Sequence, residues 1–178
     1  MTLEEAERLL DGGLPIASGR PDQGVPRSRV PVAVARDGDD GAVLFLGPRS
    51  DGGIQFFCVR ATRTAGGPFV ALEQHADAWP RATLDRPVSL ARHVELAAVV
   101  AETDGDSLVV VAPFVADASV ERVEVAVDGG QRAPCPLSST TGAGLALTRA
   151  PGHPRAVELR AHRADGSEVA RRVPMPGG

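Results

Sequence analysis

From Val30 onward, apolar side chains recur on every second position, the period of a half-buried strand. Val30, Val32 and Val34 alternate with Pro31, Ala33 and Ala35, and Pro31, which has no N–H to give a ladder, places that strand at a sheet edge. Short apolar runs follow at Ala42 to Leu46 and Ile54 to Val59, separated by Gly47-Pro48-Arg49-Ser50-Asp51-Gly52-Gly53, and at Phe69 to Leu72 after Gly66-Gly67-Pro68. This spacing predicts a meander of strands.

Beyond His93 the rhythm becomes regular. Val94, Leu96, Ala98 and Val100 alternate with smaller or charged partners, and Thr103-Asp104-Gly105-Asp106 turns the chain into Leu108 to Val111. Val123, Val125 and Val127 alternate with Arg122, Glu124 and Ala126, while Val157, Leu159 and Ala161 alternate with Glu158, Arg160 and His162. Each of these strands has one wet and one dry face. Leu108, Val110, Ala112 and Phe114 share one face and Val109 and Val111 the other, so this strand is expected to be central and covered on both sides. With Gln131 to Pro136, Leu145 to Thr148 and Glu168 to Val173 there are about seven strands between 93 and 175, the number and spacing of an immunoglobulin-like sandwich.

Turn chemistry agrees. Asp-Gly recurs at Asp11, Asp37, Asp51, Asp104, Asp128 and Asp165, and all but the first lie between candidate strands, where Asp tolerates and Gly favours the positive φ of a tight hairpin. The only internal helix candidate, Leu84 to Leu96, is interrupted by Pro87 and a β-branched run. At the start of the chain, Thr2 and Glu5 form a capping-box pattern, acids fill the first turn, and Gly12-Gly13 stop the helix. Its apolar stripe, Leu3, Ala6, Leu9 and Leu10, is short and needs a docking surface. Residues 17–28 are turn formers with few hydrophobes and read as an exposed arm.

The expected fold is therefore all-β: an antiparallel β-sandwich, immunoglobulin-like in the C-terminal half, with a short N-terminal helix. The organisation expected is a helix and flexible arm at 1–27, a β-meander at 28–92 and the sandwich at 93–178, the pattern leaving open whether 28–178 shares one core.

Composition narrows the chemistry. Hydrophobic residues make up 43% and charged residues 24%, the balance of a soluble globular protein. All 19 basic residues are Arg, and Asn and Tyr are also missing, a bias of high-GC codon usage. Without lysine there is no Schiff-base amine, phosphate-loop lysine or Ser-Lys dyad. The net charge of −4 carries no basic stripe, so nucleic acid is not an expected partner. No apolar stretch reaches membrane-helix length and the first residues are acidic, so no membrane insertion and a cytoplasmic location are expected. Cys58 and Cys135 are too few and too far apart for a disulfide scaffold or metal knuckle.

The strand-turn-strand carrying Cys58, the Ala112 to Val125 run of Ala-Pro-Phe-Val type, Asp128-Gly129 and the closing Ala161-His162-Arg163-Ala164-Asp165-Gly166 resemble a two-part β-rich architecture of high-GC bacterial proteins without known activity. The resemblance spans about residues 40–172, rests on turn and core positions, and implies a β-rich fold and no activity. Those relatives often carry an N-terminal membrane anchor, where this chain has an acidic helix.

Candidate chemistry is sparse. Cys58, between Phe57 and Val59, reads as a small buried hydrophobe, or as a nucleophile if His75 or His93 reaches it. Cys135, between Pro134 and Pro136, is expected to be the more exposed thiol. His75-Ala76-Asp77 is the best polar cluster, and residues at i and i+2 can share a strand face, with Trp79 as a stacking surface. A solvent-exposed loop with a Trp anchor before Pro80 explains the same residues. The four histidines, at 75, 93, 153 and 162, form no i, i+2 or i, i+4 pair for one metal. Asp37-Gly38-Asp39-Asp40-Gly41 and Asp104-Gly105-Asp106 lack the ligand spacing of a calcium loop and read as charged hairpin tips. Gly142-Ala143-Gly144 and Ser138-Ser139-Thr140-Thr141 match neither a dinucleotide loop nor a nucleophile elbow.

The reading is a non-enzymatic module for protein-protein interaction or self-assembly, with His75, Asp77 and Trp79 as binding residues, no catalytic or metal-ligating residue and no cofactor. Its rival is a hydrolase or metal-dependent small-ligand binder centred on Cys58, His75, Asp77 and His93.

Overall fold

The computed structural model describes residues 1–11, 30–48, 54–63, 66–79, 94–103, 106–115, 117–139 and 141–175, and over 54–56, 71–79 and 94–103 it gives backbone and pairing. Antiparallel sheets dominate, with one short helix, so the chain is all-β in class. It divides into two compact units, Met1–Pro87 and Val88–Gly178.

The first unit opens with α1 (Leu3–Asp11), followed by β1 (Val30–Asp37), β2 (Asp40–Pro48), β3 (Ile54–Thr62) and β4 (Val70–Trp79), paired in chain order as one meander. The capping box forms in both directions: Glu5 N–H donates to Thr2 Oγ1 at 3.1 Å and Thr2 N–H donates to Glu5 Oε2 at 2.6 Å. The helix docks within its own unit, as its apolar stripe requires. Ala6 and Leu9 are buried in a cluster with Val43, Phe45, Phe57, Val59, Ala61 and Phe69, whereas Leu3 stays outside, 49% exposed. So short a helix gains its stability from this packing.

Strand β1 is an edge, and its pairing with β2 shifts between Pro31 and Ala33. A bulge there absorbs the missing proline N–H. The β1–β2 hairpin turns on Gly38, φ 59°, with Asp37 opposite Asp40. A positive φ at the first central residue alone is the II′ pattern, which glycine adopts without strain. Strand β4 runs on past Leu72 to Trp79, so His75, Asp77 and Trp79 belong to a strand and not to a loop before Pro80. The reason is the length of its partner: β3 offers ladder positions from Thr62 to Ile54, and β4 uses them all.

The second unit contains β5 (Val94–Thr103), β6 (Asp106–Val115), β7 (Val120–Val127), β8 (Ala133–Cys135), β9 (Ala146–Pro151), β10 (Ala156–Arg163) and β11 (Glu168–Pro174). They form a three-stranded sheet, β5-β6-β9, and a four-stranded sheet, β11-β10-β7-β8. One buried cluster draws on both: Val109 and Val111 from β6 and Ala146 and Ala150 from β9 join Val123, Val125, Val157, Leu159 and Ala161 from the other sheet. Strand β6 lies in the middle of its sheet and is buried from Ser107 to Val115 on both faces, as its unbroken apolar run requires.

Cys135 corrects the sequence reading. It is 2% exposed and part of this core, opposite Val123, while Pro134 and Pro136 face water. The strand period, and not the flanking prolines, decides which of three consecutive residues turns inward. Asp128-Gly129 makes the expected turn with both residues at positive φ, 50° and 73°, closed by Gly130 N–H donating to Val127 O at 2.8 Å.

Candidate functional site

Two places concentrate chemistry-bearing residues. The first is the β3–β4 ladder. Its register sets Cys58 opposite His75, Phe56 opposite Asp77 and Ile54 opposite Trp79. Residues two apart on a strand share a face, and directly opposed residues of an antiparallel pair share it too. Cys58, His75, Asp77 and Trp79 therefore belong to one face of the first sheet, the face opposite the one packed on α1. Cys58 is 3% exposed, and neither Cys58 nor Cys135 is in a disulfide. His93, the fourth member of the expected cluster, lies outside the described residues.

The second place is the outer face of β7, β10 and β11, legible in the sequence only as the wet faces of separate strands. His162 Nε2 lies 3.3 Å from Glu124 Oε2 on β7, and its Nδ1 lies 3.6 Å from Glu168 Oε2 on β11. Arg160 donates to Glu168 Oε1 at 2.9 Å, and Arg122 lies 3.6 Å from Glu124. The alternation Arg122/Glu124 and Glu158/Arg160/His162 was the available signal; the register that brings the two rows together was not. Each carboxylate addresses a different imidazole nitrogen, so no single ion sits between all three groups, and among the described residues no cluster of His, Cys, Asp and Glu side chains could hold a metal.

The rim of this sheet is tied down by two aspartates. Asp117 Oδ1 accepts from Ser119 N–H at 2.9 Å and from Ser119 Oγ at 2.6 Å, while its Oδ2 accepts from Arg163 Nε at 2.8 Å. These bonds, the serine hydroxyl first and the guanidinium next, hold the carboxyl down at about 2. Asp128 accepts from the N–H groups of Arg155, at 3.0 Å, and Ala156, at 2.8 Å, and the Arg155 amide is the main cause of its lowered pKa. Both carboxylates are structural anchors.

Three further sequence candidates lie among the described residues. Asp39 is spent on the end of β3: its carbonyl accepts from Arg63 N–H at 3.0 Å and its Oδ1 meets Arg63 Nε at 3.3 Å. Burial pushes the Cys135 thiol up to about 12, which leaves it protonated and unreactive. His153 sits at an exposed turn. Among the described residues no helix is long and apolar enough to cross a membrane.

Comparison with family models, with curated proteins and with solved structures finds no match to this chain. Its function therefore has to be argued from the residues themselves.

Proposed function

We propose that the chain is a non-enzymatic binding module whose second unit is an immunoglobulin-like sandwich that presents the outer face of its four-stranded sheet to a protein partner or to a second copy of itself. Strand order supports the fold reading. Lettered A to G along the chain, β5 to β11 give A-B-E in one sheet and G-F-C in the other, with the short fourth strand beside C rather than beside E.

The observation that carries the function is the ion-paired row across β7, β10 and β11. Arg122, Glu124, His162, Arg160 and Glu168 are held in place by their neighbours, so a partner would find charges already positioned and would lose less side-chain entropy on ordering them. Alternating signs suit a partner of mixed charge and reject a polyanion. Recognition through the face is favoured over strand addition at β11. Arg163 N–H donates to Ser167 O and Met175 N–H to Arg155 O, so the odd-numbered residues of β11 pair inward. The free edge is then Glu168, Ala170 and Arg172 and ends at Pro174, a short, charged, proline-terminated edge of the protected kind.

Sedimentation of the purified chain, with carboxylate-directed cross-linking in lysate, tests the reading. A concentration-dependent dimer that Arg160→Glu abolishes supports self-assembly. A monomer that cross-links to a protein through Glu124 or Glu168, and fails to do so as Arg160→Glu, supports a separate partner. A monomer with no partner on this face overturns both.

A further inference from the structure

We propose that His162 is a proton-operated latch on the four-stranded sheet: as an imidazolium it ties Glu124 of β7 and Glu168 of β11 together across β10, and as a neutral ring it lets go of β11. The register puts the three groups on one face. His162 stands directly opposite Glu168 and one step along from the Arg160–Glu124 pair. Its ring nitrogens address different strands, Nε2 lying 3.3 Å from Glu124 Oε2 and Nδ1 lying 3.6 Å from Glu168 Oε2. A neutral imidazole carries one N–H and one lone pair, whereas an imidazolium carries two N–H groups. The neutral ring therefore serves only one of the two carboxylates. The shorter contact takes its proton, which leaves the Nδ1 lone pair facing a carboxylate oxygen on β11, a repulsive pairing. A second proton turns that contact into a charge-assisted bond, and Glu168, the more exposed of the two acids, has the freedom to close it.

The surrounding charges leave this exchange to the ring. On β7 the ring meets Arg122, directly opposite, and Glu124; on β11 it meets Glu168; on its own strand Arg160 is two positions away, and Glu158 faces Arg172 of β11 at the far end of the row. Arg122 and Arg160 oppose a third cation, but each lies against the far oxygen of its carboxylate. Arg122 is 3.6 Å from Glu124 Oε1 and Arg160 is 2.9 Å from Glu168 Oε1, so the oxygens nearest the ring are left to it. The strand that responds is β11, an edge strand exposed along most of its length, with little else on this face to hold it. Imidazole is the side chain that ordinarily changes charge between pH 5 and 8, so the latch makes the β10–β11 pairing sensitive to that window. It lies within the surface proposed above for recognition but does not depend on that reading.

Hydrogen exchange of the full chain tests the latch without any partner. The amides of Val169 and Arg171 pair with β10 and exchange when the edge opens. Corrected for intrinsic rates, opening at these amides is expected to be about two- to fivefold rarer near pH 5.5 than near pH 8, the size of a partly exposed ion pair. His162→Gln should remove the response, Glu168→Gln should shrink it, and Glu158→Gln should keep it. Nitrogen-15 spectra of the wild-type imidazole add a reading that needs no variant, with the proton of the neutral ring expected on Nε2. Equal opening at the two pH values, a response that survives His162→Gln or is unchanged in Glu168→Gln, or a neutral ring protonated on Nδ1 would overturn the latch.

Discussion

Arg163 at the end of β10 donates from Nε to Asp117 Oδ2, 2.8 Å away, and so clamps the segment that leads into β7 against a strand that begins 39 residues later. The adjoining backbone follows: Ala164 N–H donates to Ser119 O at 3.0 Å. One aspartate thus joins a local turn, through Ser119, to a long-range pairing.

This clamp predicts an acid limb in stability. The folded-state pKa of Asp117, about 2, lies below the ordinary value of 3.8. Its contribution is therefore present above pH about 4 and is lost as pH falls toward 2. The shift corresponds to about 2 kcal/mol at most, and partial exposure to water trims it. Urea titrations of the wild-type chain and Asp117→Asn between pH 2 and 7 should converge at the acid end and diverge by about 1–2 kcal/mol at neutrality. A constant gap across this range would contradict the assignment.

Asp128 is expected to be more sensitive than its exposed position suggests. It occupies positive φ and accepts two backbone N–H groups at the start of β10. Asp128→Ala loses both bonds and strains the backbone, for about 2–3 kcal/mol. Asp128→Asn keeps an acceptor and tolerates the conformation, and should cost about half as much. Equal losses in denaturant unfolding would show that neither the retained acceptor nor the tolerance of positive φ accounts for the sensitivity of this position.

Two glycines separate steric need from conformational need. A Cβ on Gly144 would lie 2.8 Å from Leu137 Cδ2, 2.9 Å from Cys135 Sγ and 2.9 Å from Pro136 O, and the last of these is backbone. Gly144→Ala should destabilise by about 1–3 kcal/mol through overpacking. Gly152 has open space around it but φ of 61°, so Gly152→Ala should cost about 1–2 kcal/mol through conformation alone. Cys135→Ala is expected to relieve Gly144→Ala in part and to leave Gly152→Ala unchanged, a contrast that a double-mutant cycle reads directly.

Thr2→Ala should loosen α1 by about 1 kcal/mol through loss of the bond to Glu5 N–H. Hydrogen exchange of amides 3–11 would accelerate accordingly. Because Ala6 and Leu9 are core residues, deletion of the helix should reach further, lowering protection in β2 and β3. Protection confined to its wild-type value in those strands after deletion would mean that the helix contributes no packing.

The two thiols should behave alike toward bulky reagents in the native chain, both being buried. Cys135, with its thiol pushed up to about 12, should react only after unfolding. Reaction of Cys135 with a disulfide reagent at the native rate of an exposed thiol would require local opening of the β7–β8 pairing.

Much of this architecture was written in local rules. Thr2 and Glu5 cap a helix because side-chain and backbone groups three residues apart meet at a helix start. Asp128-Gly129 turns because those residues accept positive φ, and Pro31 marks an edge because it lacks a donor. The continuous apolar run from Leu108 to Val115 could be satisfied only by burial on both faces. Each depends on residues within a few positions of one another, so the sequence by itself determined them.

Pairing was decided elsewhere. Nothing near His162 indicates that Glu124 and Glu168 will flank it, and nothing near Cys58 indicates His75, because neighbours across a ladder are set by register, and register is set by how whole apolar faces find a common core. Cys135 shows the same limit: its prolines suggested exposure, but the β7 partner chose which side turns inward. Alternation fixes which residues share a face on one strand. Only the tertiary structure fixes what stands across from them, since that is a competition among all the strands to bury their apolar sides at once.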